Sequence, residues 1–465
     1  MNTDKWLKRI ASTSQQLAIR SLNSNVKLSV TGLSGAGKTT FVTGLVNQLL
    51  NASPSRLPLW DVAREGRLIS VKQEPQPDFD VASFDYQGAL QKLTNTPPQW
   101  PESTRNISQI RLAIKYRSNH PLWSALAKEQ TLYLDITDYP GEWLLDLPML
   151  NMDYRQWSLS MAQVLELSEP YAVSAFKTKL AGAAEQNASS DHELAQLSAK
   201  YRELLLTLKQ DKGLSYLQPG RLLLPGELEG TPLVSFFPWL LEHPSVDDRN
   251  DALLYQKLET RYKRYRSEVV KRFYSDHFSH FDRQLVLVDC LSPLAKGQSE
   301  MQDTVKALTE IMQHFDYGER HWLKQIFIPK IDKLVIAASK ADHVTYDQRH
   351  TLLALLDGML IQSKQNALLK GSGVYTQVLA SIRASEDAKV KHKGQTLSVI
   401  KGRPEGDELR NVFPGALPTN WQDQGFWQQG QFDFLQLQPQ PLDNGKAEQL
   451  GIDALLQQLL GDKLI

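Results

Sequence analysis

The chain has 465 residues, which suggests two or three domains, and its apolar content is ordinary, so a substantial core can form. Lys and Arg number 52, as do Asp and Glu; the zero formal charge argues against a protein that coats nucleic acid, and no nucleic-acid partner is expected. Cys290 is the single cysteine, which rules out an internal disulfide; with no apolar run of about 18 residues and no secretory leader, the expectation is a cytoplasmic protein with no transmembrane segment.

Residues 4–22 read as a helix with Trp6, Leu7, Ile10, Leu17, Ile19 and Leu22 on one face and Lys5, Lys8, Arg9 and Arg20 opposite. Such a helix packs on the domain that follows; an interfacial helix on an acidic membrane is the alternative. Next comes Asn25 to Leu50, around which the chain is organised. A strand-like run, Val26 to Thr31, turns through Gly32-Leu33-Ser34-Gly35-Ala36-Gly37-Lys38-Thr39 into an apolar helical pattern. The turn matches the phosphate-binding loop G-x-x-x-x-G-K-[ST]. Glycines let successive N–H groups curl around a polyphosphate, and the helix start faces the same charge. Ser34, Gly35, Ala36, Gly37, Lys38, Thr39 and Thr40 are therefore candidate nucleotide contacts. Lys38 reaches the β- and γ-phosphates, and the Thr39 hydroxyl sits on Mg²⁺.

Residues 51–108 read as a long irregular stretch rich in Pro, from Pro54 to Pro101, and such stretches are usually functional. Alternation of Ile110, Leu112, Ile114 and Tyr116 marks a half-buried strand. A second strand, Thr131 to Thr137, runs into Asp138-Tyr139-Pro140-Gly141-Glu142. An Asp at a strand end followed by x-x-Gly is how a P-loop nucleotidase holds Mg²⁺ and senses the γ-phosphate. Residues 145–280 break the strand rhythm, with helices near 152–181, 190–210 and 250–278. The last is basic, carrying Lys257, Arg261, Lys263, Arg264 and Arg266 among others. A solvated face of a long surface helix accounts for it.

The sheet resumes with Gln284 to Asp289 and Lys333 to Ala338, both continuous apolar runs of the kind buried parallel strands show. Helices are expected at 301–315 and 347–363, another strand at 374–381, a hairpin at 388–401, an extended surface wrap over 411–440 and a final helix over 446–460. The second of these strands ends in Ser339-Lys340-Ala341-Asp342. Three motifs thus sit at the carboxyl ends of strands, where open α/β sheets bind ligands. The last of them is the informative one, because it resembles the guanine-reading motif of the GTPases; a carboxylate at its fourth position would accept from both N1–H and the 2-amino group of guanine, whereas adenine offers no such pair.

Ser-Lys-Ala-Asp resembles the [NT]-K-x-D motif of Ras-like, translation-factor-related GTPases, with Ser339 in place of Asn or Thr. Within that group, LPLWDVAREGRL (57–68), WPESTRNISQIRLAIKY (100–116), DYPGEWLLDLPML (138–150) and ASIRAS (380–385) resemble the YcjX-like family of bacterial stress-induced nucleoside triphosphatases. The resemblance spans most of the chain. It implies a cytoplasmic, stress-responsive protein that binds GTP or GDP with Mg²⁺, of a family often linked to an inner-membrane partner; a protein effector is the alternative partner, and a peripheral place at the inner membrane the alternative location. The corresponding fold is α/β, a P-loop NTPase with a Ras-like, mostly parallel six-stranded sheet and an α-helical insertion. The implied division is an N-terminal helix (1–25), a first GTPase part (26–144), the insertion (145–280), a second GTPase part (281–392), and a hairpin, wrap and C-terminal helix (393–465).

Residue roles follow by matching. Lys340 lies over the base, Asp342 reads guanine and His343 neighbours it. Arg383 and Ala384 stand where backbone amides meet guanine O6. Asp138 and Gly141 form the D-x-x-G switch, and Glu142 stands where many GTPases carry a water-orienting Gln; a carboxylate there predicts slow hydrolysis. Thr104 closes on Mg²⁺ and the γ-phosphate, with Ser108 the alternative, and Arg105 stabilises the transferring phosphoryl group in cis. Ser103 flanks this loop, and Trp100 either lids the triphosphate or packs the loop. In the resulting switch, Mg²⁺·GTP orders residues near 100–108 and 138–145 and hydrolysis releases them, with a protein effector reading the insertion. An ATP-driven enzyme and a nucleotide-bound scaffold are the alternatives.

Overall fold

A computed structural model describes residues 24–33, 35–119, 128–168, 170–185, 190–242, 249–276, 280–315, 333–369, 374–429 and 432–465. The helix expected at 4–22 and Ser34 lie outside them. Eight strands form one sheet: β1 (Ser24–Gly32), β2 (Leu68–Glu74), β3 (Ala82–Ser83), β4 (Ser108–Arg117), β5 (Glu129–Asp138), β6 (Arg283–Val288), β7 (Lys333–Ala338) and β8 (Val374–Val378). Their order is β2-β4-β5-β1-β6-β7-β8, with β3 paired to β4. From β5 through β8 every pairing is parallel, and β4 runs antiparallel to both β5 and β2.

The six strands legible from apolar runs are present, and β2 and β3 enlarge the expected six-stranded sheet to eight. Both come from the stretch read as irregular. β2, LISVKQE, is an edge strand with no fully buried residue, so it lacks the apolar run that betrays an inner strand. The same stretch holds a helical turn, Asp61–Arg64, and the helix Tyr86–Thr94, capped by Asp85. The strand expected at 374–381 stops at Val378, and 379–384 form a loop instead.

Side chains of the central strands alternate between two cores, as a pleated sheet covered on both faces requires. Leu285 and Leu287 of β6, with Val335 and Ala337 of β7, face one core, shared with α1 (Lys38–Leu50) and the C-terminal helix Ile452–Leu460. Val286, Val288, Ile336 and Ala338 face the other. That second core continues into the helices between β5 and β6. These begin with a 3₁₀ segment, Gly141–Asn151, followed by α2 (Tyr154–Ser168), α3 (Pro170–Glu185) and α4 (Asp191–Asp211). Ser190 and Glu193 start α4 with a capping box, each satisfying the other's backbone N–H. The helix α5 (Arg249–Tyr265) runs through a π-helical turn, Arg266–Val270, to Lys271–Asp276. Its basic side chains are paired: Arg264 with Glu268, Lys263 with Glu259, and Arg261 with Asp191. The apolar side of α5 closes an aromatic cluster of Tyr154, Trp157, Phe236 and Tyr262.

A second, three-stranded antiparallel sheet joins β9 (Ser385–His392), β10 (Gln395–Gly402) and β11 (Arg410–Val412). The β9–β10 turn is Lys393-Gly394, both at positive φ, the geometry that favours two-residue hairpins. This hairpin crosses the expected division at 392/393. The wrap expected over 411–440 is interrupted by β11 and by a helical turn, Gln424–Gln429. The final helix starts at Ile452 rather than near 446.

Candidate functional site

The glycine-rich loop sits at the carboxyl end of β1. Gly35 and Gly37 hold φ of 78° and 80°, values that side chains rarely adopt, and Ala36 N–H donates back to Leu33 O at 3.2 Å. Lys38 folds over the loop and donates to Gly32 O at 2.9 Å. Two cavities of about 360 and 350 Å³ meet here, sharing Gly35, Gly37, Thr40 and Ser103 in their walls.

The smaller cavity is lined by Lys38, Thr39, Thr104, Arg105 and Glu142. Three oxygen groups form a chain beside it. Thr39 Oγ1 lies 2.7 Å from Thr104 Oγ1, and Thr104 Oγ1 donates to Asp138 Oδ2. Asp138 Oδ1 is buried without a hydrogen-bond partner among the described residues. Burial pushes the Asp138 carboxyl up to about 6, against the hydrogen bond from Thr104 and the charge of Lys38. Two hydroxyls and an orphaned carboxylate oxygen suit a hard divalent cation. Ser108 is the register partner of Asp138 in the β4–β5 ladder and is not in the cavity wall, so Thr104 is the hydroxyl brought to Asp138.

Gly141 passes so close to β1 that a Cβ there would lie 1.8 Å from Gly32 O. Glu142, 6% exposed, accepts a 2.7 Å hydrogen bond from Lys209 of α4. Burial works to raise the Glu142 carboxyl, but Lys38 and Lys209 override it and hold the group below the usual range. The residues that follow are buried in the helical layer: Trp143 Nε1 donates to Leu224 O, and Arg221 lies 3.1 Å over its ring. Asp146 accepts from the N–H groups of Gly220 and Arg221 and from the Tyr265 hydroxyl.

The larger cavity is lined by Ser339, Lys340, Asp342 and His343 after β7, by Ser381 and Ile382 after β8, and by Trp100, Phe434 and Gln436. Asp342 is 1% exposed; Oδ2 accepts from Ala384 N–H and Oδ1 lies 3.2 Å from His343 Nδ1. Burial opposes ionisation, yet His343 and the Ala384 N–H outweigh it, and the carboxyl stays below its ordinary value. A carboxylate has about four acceptor sites, and Asp342 lines the cavity wall. Lys340, at φ 60°, donates to Asp289 Oδ2 at 2.6 Å, and its Nζ lies 5.0 Å from the Phe434 ring centre. Trp100 donates to Leu437 O while lining the cavity, so it both packs its loop and walls the site.

Most of the expected residues that are described gather here, with two exceptions. Arg383 and Ala384 were expected to offer backbone amides, but Arg383 N–H donates to Glu448 O and Ala384 N–H to Asp342, and neither residue walls the cavity. Four residues were not anticipated. Asp289 directly follows β6 and holds Lys340; a carboxylate closing the apolar run QLVLVD at the binding edge was the available signal. Lys209, Phe434 and Gln436 come from distant helix and wrap segments and carry no local signal.

The chain is thus a mixed α/β protein whose glycine-rich loop and two further motifs converge at the carboxyl edge of a mostly parallel sheet. The sequence profile of the YcjX-like family, DUF463, matches residues 26–464. A protein of Shewanella oneidensis MR-1 called Ras-like GTPase YcjX is 44% identical over 482 aligned positions, covering 99% of both chains. One of the same name from Escherichia coli K12 is 40% identical over 469 positions, covering 98% of this chain and 100% of its own. The chain belongs to the YcjX-like family.

Proposed function

We propose that this protein is a Ras-like, Mg²⁺-dependent GTP-binding protein that hydrolyses GTP slowly and acts as a nucleotide-dependent switch. The observation that carries the reading is Asp342, a buried, ionised carboxylate in the wall of a cavity continuous with the phosphate-binding loop. A carboxylate at this place would match N1–H and the 2-amino group of guanine, and adenine would leave it unpaired. Lys38 and the loop amides take the phosphates. Thr39, Thr104 and Asp138 hold Mg²⁺, which neutralises phosphate charge when bound. Arg105 faces the same cavity and supplies charge to the transferring phosphoryl group.

Glu142 supports the slow rate, because an ionised carboxylate paired to Lys209 is a poor substitute for a water-orienting amide. The same pair favours a second reading, a nucleotide-bound scaffold that scarcely turns over. With the family resemblance, the switch belongs to a bacterial stress response and works in the cytoplasm or beside an inner-membrane partner. Among the described residues no helix is long and apolar enough to cross a membrane. The test is competition for labelled GDP in the presence of Mg²⁺. GTP should displace it and ATP should not; equal displacement by ATP overturns the guanine reading. Single-turnover hydrolysis then separates switch from scaffold: slow cleavage weakened in Arg105→Ala supports the switch, and no cleavage in the parent supports the scaffold.

A further inference from the structure

We infer that Lys209, from the helical layer, is a phosphate-binding residue that grips the terminal phosphate of a bound triphosphate and so ties α4 to the nucleotide state. This deepens the reading above and rests on its phosphate cavity, though not on its choice of base. Lys209 lies in the last turn of α4, where a lysine ordinarily serves the helix end. Here its side chain is only 23% exposed and its Nζ is 2.7 Å from Glu142 Oε1, inside the wall of the cavity that Lys38, Thr39 and Arg105 also line. Lys38, Arg105 and Lys209 set three positive charges against Glu142 in the cavity wall and Asp138 beside it, around a space large enough for phosphate groups. The surplus of positive charge favours an anion.

The chemistry divides the labour. Glu142 alone would repel a γ-phosphate, so a cation must stand between them. An ammonium has three donors, and the hydrogen bond to Glu142 uses one of them. Lys209 can therefore bridge the carboxylate and a phosphate oxygen together. A diphosphate leaves the bridge half-made. Leu204, Leu205 and Leu208 in the same last turns of α4 are buried in the helical core, so the position of Lys209 is the position of that layer.

The experiment compares Kd for the non-hydrolysed GTPγS and for GDP, with Mg²⁺, in the full chain. Lys209→Gln should lower the preference for triphosphate over diphosphate about tenfold, the worth of one charge-assisted hydrogen bond, with Lys209→Arg recovering most of it. An unchanged preference in Lys209→Gln overturns the inference. Should Lys209→Gln fail to fold because Glu142 is left unpaired, the double variant Glu142→Gln/Lys209→Gln takes its place. A preference still depressed in the double variant supports a direct phosphate contact. A preference restored to the parent value shows that Lys209 only neutralises Glu142, and the inference falls. If the parent prefers ATP, the guanine reading fails, and the same ratio is measured with ATPγS and ADP, where Lys209 stands or falls by itself.

Discussion

Replacing Asp342 by Asn tests the base-reading site with the least disturbance to its frame. The Asp342 backbone carbonyl accepts from the Ser385 hydroxyl, and Oδ2 accepts from Ala384 N–H. Both survive in the amide if its carbonyl oxygen faces Ala384. The amide NH₂ then occupies the place of the other oxygen. Against guanine it sets a donor against donors, so up to two charge-assisted hydrogen bonds are lost, each worth about 1.5–3 kcal/mol. Because Asp342 is 1% exposed, water cannot replace them. The Kd for GTP should rise by about two to four orders of magnitude. Xanthine presents a C2 carbonyl where guanine presents its amine, so xanthosine triphosphate should gain where GTP loses. Calorimetric titration with GTP, xanthosine triphosphate and ATP measures all three, and nucleotide-free melting checks the fold. If Asp342→Asn binds GTP within about threefold of the parent, the carboxylate does not read the base.

Other consequences follow from the same geometry. Thr39→Ala should cut the Mg²⁺-dependent gain in GTP affinity about tenfold while leaving metal-free GDP binding alone, read by titration with Mg²⁺ or EDTA. Gly141→Ala drives a Cβ into Gly32 O and should cost at least about 1–3 kcal/mol of stability, seen as a lowered Tm. Asp138 titrates near 6 when folded and 3.8 ordinarily, so between these values the folded state holds a proton the unfolded chain lacks. Folding is therefore favoured by acid, and the full cost of the buried charge, on the order of 3 kcal/mol, is felt above about pH 6. Nucleotide-free Asp138→Asn should melt above the parent at pH 7, the gap closing below about pH 4. Amide exchange over 143–149 should stay slow with either nucleotide, while 101–107 changes with the γ-phosphate.

The legible parts of the site were those whose chemistry is compressed into a few consecutive residues. Lys38 and Thr39 stand in a motif that names their task; Asp138 ends an apolar strand and Asp342 follows one closely. Strands β6 and β7 announced themselves because burial on both faces demands unbroken apolar runs. Edge strand β2 escaped because only one ladder and a few half-buried side chains hold it. Lys209 looks in sequence like any lysine on a solvated helix, since its partner Glu142 is fixed by the packing of a whole layer. Phe434 and Gln436 reach the cavity only after the chain has crossed the three-stranded sheet. Arg383 and Ala384 show a related limit: the ASIRAS stretch suggested free backbone amides, but Arg383 N–H is taken by Glu448 O from far along the chain and Ala384 N–H by Asp342.

The two segments expected to respond to hydrolysis are held by very different forces. Residues 102, 103, 105 and 106 are exposed and in no helix or strand; Thr104 is half-buried through its bonds to Thr39 and Asp138. Such a loop can order and loosen for the free energy of a few phosphate and metal contacts. Leu144, Leu145, Leu147 and Met149 are at most 1% exposed, and each contributes about 1.5–3 kcal/mol by burial. Releasing them would cost on the order of 10 kcal/mol, against the 1–3 kcal/mol that a ligand commonly transmits between sites. Unfolding of the stretch after Gly141 is therefore too costly to be the signal. With Asp146 tied to Gly220, Arg221 and Tyr265, and Trp143 held under Arg221, this stretch moves only when its helical neighbours move. On the proposed switch, the nucleotide state therefore reaches the surface as a shift of the helical layer as one piece, and the close approach of Gly141 to Gly32 is where that layer meets the loop.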